Sequence, residues 1–190
     1  MAGWIDALES KAPDVVAVWH VCDGPFREFR RELRRRASRE TAAGVLKQQE
    51  AVADVLRDVL KSLPDAALLL PGNEGDWNVA QTFAHTTAAR RFLARGAALA
   101  ATGGWPADDP PTPIAGIPGR DADREMLLAL LEKSRRSIAE SAALIAGHES
   151  DPCPMDHPLV GHLRCGEWLL FIGVHDLMHL EQLETLAARV

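Results

Sequence analysis

The sequence predicts an all-α fold, a four-helix bundle carrying an N-terminal extension. Three observations predict it. Beyond residue 40, apolar residues recur at three- and four-residue steps in four long stretches, the spacing of one helix face. No convincing strand-like run interrupts them. Between them lie segments rich in Pro and Gly, which no regular element survives. With 190 residues, 47% of them hydrophobic, the chain can bury one substantial core. We therefore expect an extension over residues 1–40 and a bundle domain over 41–190.

Within the extension, Gly3 to Lys11 suits a short helix that stops before Pro13. Asp14 to Cys22 (DVVAVWHVC) is short, apolar and β-branched, and reads as a strand or a buried helical turn. A turn at Asp23-Gly24-Pro25 leads into Arg27 to Arg39, where seven Arg face two Glu. That window carries +5 and leaves −11 for the rest of the chain. It is either a basic helix for an anionic partner or a solvated helix. In the second case Phe26, Phe29 and Leu33 cover the core and the arginines pair with acidic surface.

The first bundle helix is expected over 41–63, with Val45, Val52, Leu56 and Leu60 on its apolar face and Pro64 as its stop. After a brief apolar connection and a loop at 71–75, Asn78 and Gln81 form an Asn-x-x-Gln capping box that opens a helix over 78–98. Residues 102–120 hold five prolines and four glycines, a connection long enough to run from one end of a bundle to the other. A third helix over 122–146 follows an Asp cap at Asp121 or Asp123 and stops at Gly147. A Pro-rich loop then leads to the fourth helix, over 166–188.

That fourth helix, EWLLFIGVHDLMHLEQLETL, carries the chemistry. At about 100° per residue, Trp168, Ile172, His175, His179, Gln182 and Leu186 share one stripe, which should face the core. Two imidazoles one turn apart can reach a common metal ion. The plainer alternative is a pair of satisfied core histidines. His85, two turns into the capped helix and beside the small Ala89, is the candidate third ligand. Three neutral imidazoles suit Zn, Ni, Fe or Mn and leave coordination positions open for water or substrate. Gln182 either orients a ligand imidazole or a water, or hydrogen-bonds within the bundle. Asp176 and Glu181 fall on other faces and should be solvated. Cys165 sits at a helix start, where thiol pKa values fall, or is a small apolar residue. His20, His148, His157 and His162 read as solvated or structural, with His162 the candidate to line the site.

The composition excludes several roles. A net charge of −6 argues against nucleic-acid binding through phosphate neutralisation. The apolar runs fall far short of the roughly 20 residues that cross a bilayer. The start, MAGWIDALESK, places Asp6 and Glu9 where a signal peptide needs an apolar run, so no secretory signal is expected. Cys22, Cys153 and Cys165 form no disulfide framework, which suggests a reducing cytoplasm.

Trp77-Asn78-Val79 with His85 seven residues after the Asn, the long crossover, and HPLVGHLRCGEWLLFIGVHDLMHLEQL near the end together resemble the DinB-like (YfiT-like) superfamily of metal-dependent four-helix-bundle proteins. The resemblance spans roughly Thr41 to Val190. It implies an up-down-down-up bundle, a divalent metal on His85, His175 and His179, frequent homodimers, and reactions that use low-molecular-weight thiols such as mycothiol or bacillithiol. Relatives often open the last helix with a Ser or Thr cap where this chain has Arg164, although Glu167 keeps the matching third position. The reading that follows is a metal-dependent enzyme acting on a small-molecule substrate, of thiol-transferase, isomerase or hydrolase type. Its rival is a non-catalytic bundle that binds a metal or a partner.

Overall fold

The computed structural model of the chain describes residues 3–70, 77–106, 122–157 and 160–187. The loop expected at 71–75, most of that at 102–120, Asp121, the last residue of the expected fourth helix and the side chain of Leu186 lie outside the described residues. Four long helices form the bundle: α4 (Ala42–Ser62), α5 (Val79–Ala101), α6 (Arg124–Ile145) and α7 (Cys165–Ala187). Three shorter ones precede them: α1 (Gly3–Glu9), α2 (Pro13–Trp19) and α3 (Phe26–Ala37). Among the described residues there is no strand, only an isolated antiparallel bridge between Pro152 and Arg164. Asp14 to Cys22, open between strand and helix in the sequence, is thus helical over its first residues.

Caps place the helix starts where the sequence signals them. Thr41 accepts from the Gly44 N–H at 3.1 Å, and Asp123 accepts from the Met126 N–H at 2.8 Å. Gly147, at φ +85°, supplies the left-handed residue just past the end of α6. At α7 the start is Cys165. Arg164 cannot cap with its side chain, yet its backbone N–H donates to Glu167 Oε2 at 3.0 Å, the return half of a capping box.

Contacts between helices give the order up-down-down-up. The Ala42 N–H at the start of α4 donates to Glu149, whose carbonyl accepts from the Gly166 N–H at the start of α7. These two helices therefore begin at one end and run parallel. Arg124, opening α6, donates to the carbonyls of Leu60 and Leu63 at the far end of α4. Arg135, further along α6, pairs with Glu50 and Asp54 earlier in α4, so α6 is antiparallel to α4. Gly96, late in α5, lies against Met155 in the segment leading to the start of α7, so α5 runs antiparallel to α7 and alongside α6.

The first three helices build on α7 and α4. Val15, Val18 and Leu33 are fully buried, and both methyls of Val15 sit against Gly173 of α7, where a Cβ would come within 2.9 Å. The start of α2 is capped from another helix: Gln48 of α4 accepts from the N–H groups of Asp14 and Val15 at 2.9 and 3.3 Å. Asp14 in turn accepts from Gln48 and Arg36. Three of the basic-window arginines pair with carboxylates, Arg34 with Glu167 and Arg35 and Arg36 with Glu32. Phe29 and Leu33 cover the core as expected, but Phe26 does not. Its ring is exposed, with the Arg30 guanidinium 5.6 Å above it.

Because α2, α3, α4 and α5 all pack on α7, that helix is buried nearly all round from Cys165 to Leu180. This overturns the expectation for Asp176, which is fully buried and not solvated. A face beside the histidine stripe is still interior here. The stripe itself ends at the surface, since Gln182 is exposed. No helix among the described residues is long and apolar enough to cross a membrane.

Candidate metal centre

The site begins with the phase of α5. Asn78 Oδ1 accepts from the Gln81 N–H at 2.7 Å, and Gln81 Oε1 accepts from the Asn78 N–H at 3.0 Å. This closed capping box holds the first turn, and two turns on it aims His85 at α7. Trp77, just before the cap, lies against the His85 ring with centroids 4.6 Å apart.

On α7, one turn of helix brings His175 and His179 together, with Nε2 atoms 3.3 Å apart. Two ligands on a tetrahedral zinc ion with bonds of about 2.05 Å stand roughly 3.3 Å apart. The His85 ring centroid lies 5.4 Å from that of His175 and 4.9 Å from that of His179. One donor nitrogen from each of the three falls within 4.8 Å of the others. The structure thus brings together the three residues singled out in the sequence, in a cluster that could hold a metal ion.

A family model for the DinB superfamily matches residues 48–183. The chain belongs to the DinB superfamily. No curated protein and no solved structure matches it. The matched span runs from α4 into the last turns of α7 and includes all three histidines of the cluster.

The surroundings of this DinB triad favour ligation. Burial pushes the His85 imidazole down to about 4, helped by the nearby His179 and His157. Burial, with His179 and His85 adding to it, also holds His175 well below its ordinary value. His179 is lowered by burial, against the opposing pull of Gln182. Neutral imidazole is the form that binds metal. Gln182 Oε1 lies 3.0 Å from His179 Nδ1, so it accepts the ring proton there and leaves the Nε2 lone pair facing the cluster. Of the two roles open to Gln182, orienting an imidazole is the one its contact fits. His175 Nδ1 is buried and has no hydrogen-bond partner, leaving Nε2, the atom facing His179, as its donor.

Other sequence expectations fare differently. His162 is exposed, and its carbonyl accepts from Arg30 at 2.8 Å. His157 is the loop histidine nearer the cluster: its ring stands 5.7 Å from Phe171 and 6.2 Å from Trp168, within electrostatic reach of His85 and His175. No periodicity in the loop could have singled it out. The Cys165 thiol is not activated by the start of α7. A hydrogen bond with Cys153, then burial, push its pKa far up, so these two buried cysteines are neighbours.

The pair that sequence reasoning missed is Arg90 and Asp176. Both are fully buried and ion-paired, joining α5 to α7 beside the cluster. Burial pushes the Asp176 carboxyl up, and the Arg90 guanidinium pulls it back. A signal existed. Arg90 falls in step with Phe83, Thr86, Leu93 and Ala97, and Asp176 with Leu169, Gly173, Leu180 and Leu183, which are core positions of their helices.

Proposed function

We propose that this DinB protein is a divalent-metal-dependent enzyme that transfers or rearranges a small molecule with the help of a low-molecular-weight thiol. The observation that carries the reading is the convergence of three neutral imidazoles with no fourth protein donor in the cluster among the described residues. Zinc or nickel suits that donor set best, with iron or manganese as further candidates. Held by His85, His175 and His179, such an ion supplies Lewis acidity to a thiol or water at its open side.

The residues around the triad do the rest. Gln182 fixes the tautomer and tilt of His179, and the Asn78–Gln81 box fixes the approach of His85. Trp77 walls one side of His85 with an aromatic face that suits an apolar part of a substrate. Among the described residues no carboxylate joins the cluster to serve as general base for water, which favours a thiol nucleophile over hydrolysis. The thiol loses its proton to solvent, a carbon–sulfur bond forms, and the leaving group departs with the bonding pair.

The competing reading is a metal- or partner-binding bundle without turnover. Metal analysis of the purified protein, then a screen of thiols against electrophiles, tells the two apart. We expect about one ion per chain, lost in folded His85→Ala, His175→Ala and His179→Ala variants, and thiol-dependent turnover in wild type. A protein that takes up no divalent ion on titration would end the enzyme reading. The family resemblance supports a homodimer, which light scattering of the native protein checks.

A further inference from the structure

The two helices that form the site differ in how firmly their contact can set a register. Large side chains interlock as ridges and grooves. Along α5, nine of 23 residues are alanine and one is glycine, so much of its surface is shallow. Sliding or rotating such a surface against α7 forfeits few interlocked contacts. Yet His85 on α5 must meet His175 and His179 on α7 within a few tenths of an ångström for a good metal geometry.

One contact between these helices is directional. Arg90 lies five residues beyond His85, and Asp176 lies between His175 and His179. The Arg90 Nη1–H donates to Asp176 Oδ2, and its Nε–H donates to Ser134 Oγ of α6 at 3.1 Å. Ser134 is itself held by its hydrogen bond to the Leu131 carbonyl at 2.7 Å. The guanidinium therefore has one position, fixed by α6 on one side and α7 on the other. All three side chains are fully buried. Arg90 Nη2 and Asp176 Oδ1 have no further hydrogen-bond partner, so the pair is not completely satisfied. An incompletely satisfied buried ion pair adds little stability over apolar packing, and its best-attested use is to specify register.

We propose that Arg90 and Asp176 are a positioning pair, a buried key that sets the register of α5 against α7 and thereby the spacing of His85 from His175 and His179. Its consequence for metal rests on the reading of the triad as a metal centre. Its consequence for the spacing of the rings does not.

The test uses the full chain and the double variant Arg90→Met/Asp176→Leu, which replaces the pair with apolar side chains of similar size. Two readouts are compared with wild type, with circular dichroism to confirm folding. In the metal-free protein, proton–proton contacts between the His85 and His179 rings are measured by NMR. In the loaded protein, cobalt(II) affinity and its visible absorption band are measured. We expect the ring contacts to weaken or vanish, cobalt affinity to fall by about tenfold or more, and the band to move. A Leu56→Ala control, in the core of α4, should lower thermal stability and leave the band in place. A folded double variant with wild-type ring contacts and an unmoved band overturns the proposal. If the double variant does not fold, the milder double variant Arg90→Met/Asp176→Asn, which also removes the ion pair, is judged by the same readouts and the same criterion. If wild type binds no cobalt, the metal reading fails, while the ring contacts still decide the role of the pair.

Discussion

Burial holds the triad imidazoles neutral, and that gives the metal-free protein a pH dependence of known sign. In the unfolded chain each histidine takes a proton near 6.5, whereas His85 in the folded protein does so only at about 4. Below 6.5 the unfolded state binds more protons, so stability falls as pH drops through the window from 6.5 to about 4. Above 6.5 these groups contribute no slope. Thermal melts of metal-free protein between pH 7.5 and roughly pH 4.5 should show that decline, and His85→Ala should flatten it. Added zinc should raise the melting temperature at neutral pH and lose its effect as acid protonates the ligands. A second expectation concerns Gln182. Its exposed side chain touches the site only through His179. Gln182→Ala should weaken metal binding by about 10- to 100-fold while moving stability by no more than roughly 0.5 kcal/mol. Competition with a chelating dye and a urea melt measure the two.

Among the elements, the crossing of α2 over α7 is tightly packed. A methyl added at Gly173 would meet both Val15 methyls at 2.9 Å and Gln49 Nε2 at 3.0 Å. Gly173→Ala should cost about 1–3 kcal/mol, and a companion Val15→Ala substitution should recover part of it, as denaturant melts of both variants would show. How much was legible in sequence follows from the same contrast. Asn78 with Gln81, and Asp123, are local signals, and each cap acts within three residues of itself. They located the starts of α5 and α6 and, through the phase of α5, brought His85 into the site. The cap on α2 comes from Gln48, 34 residues away, so the local signs of a helix there are only Pro13 at its first position and Asp14 in its first turn. Asp176 was misjudged because one-sided burial was assumed for α7, and the helices that cover its other faces lie outside any window around it. Arg90 escaped for a different reason. A charge among alanines reads as surface even though, as here, it falls in step with the core positions of its helix.

For the whole molecule, the extension is part of the core. Leu8, Val15, Val18 and Leu33 are fully buried, and their neighbours on α4 and α7 would be bared without them. Removing residues 1–38 should therefore lower stability and solubility. The fraction that stays folded should still take up about one ion per chain, since the triad lies entirely in α5 and α7. Gel filtration with metal analysis checks both statements. The central place of α7 has a further consequence, for folding in time. In chain order α7 follows every helix it packs against, and Glu149, 107 residues downstream, must be made before the Ala42 N–H in the first turn of α4 finds its acceptor. Contacts that join distant parts of a chain slow its folding. Chains emerge from synthesis at about 5–20 residues per second, so α2 to α5 wait several seconds with their apolar faces uncovered until Cys165 to Leu183 arrive. A chaperone has that interval in which to act, and a nascent chain arrested before α7 should be its preferred form.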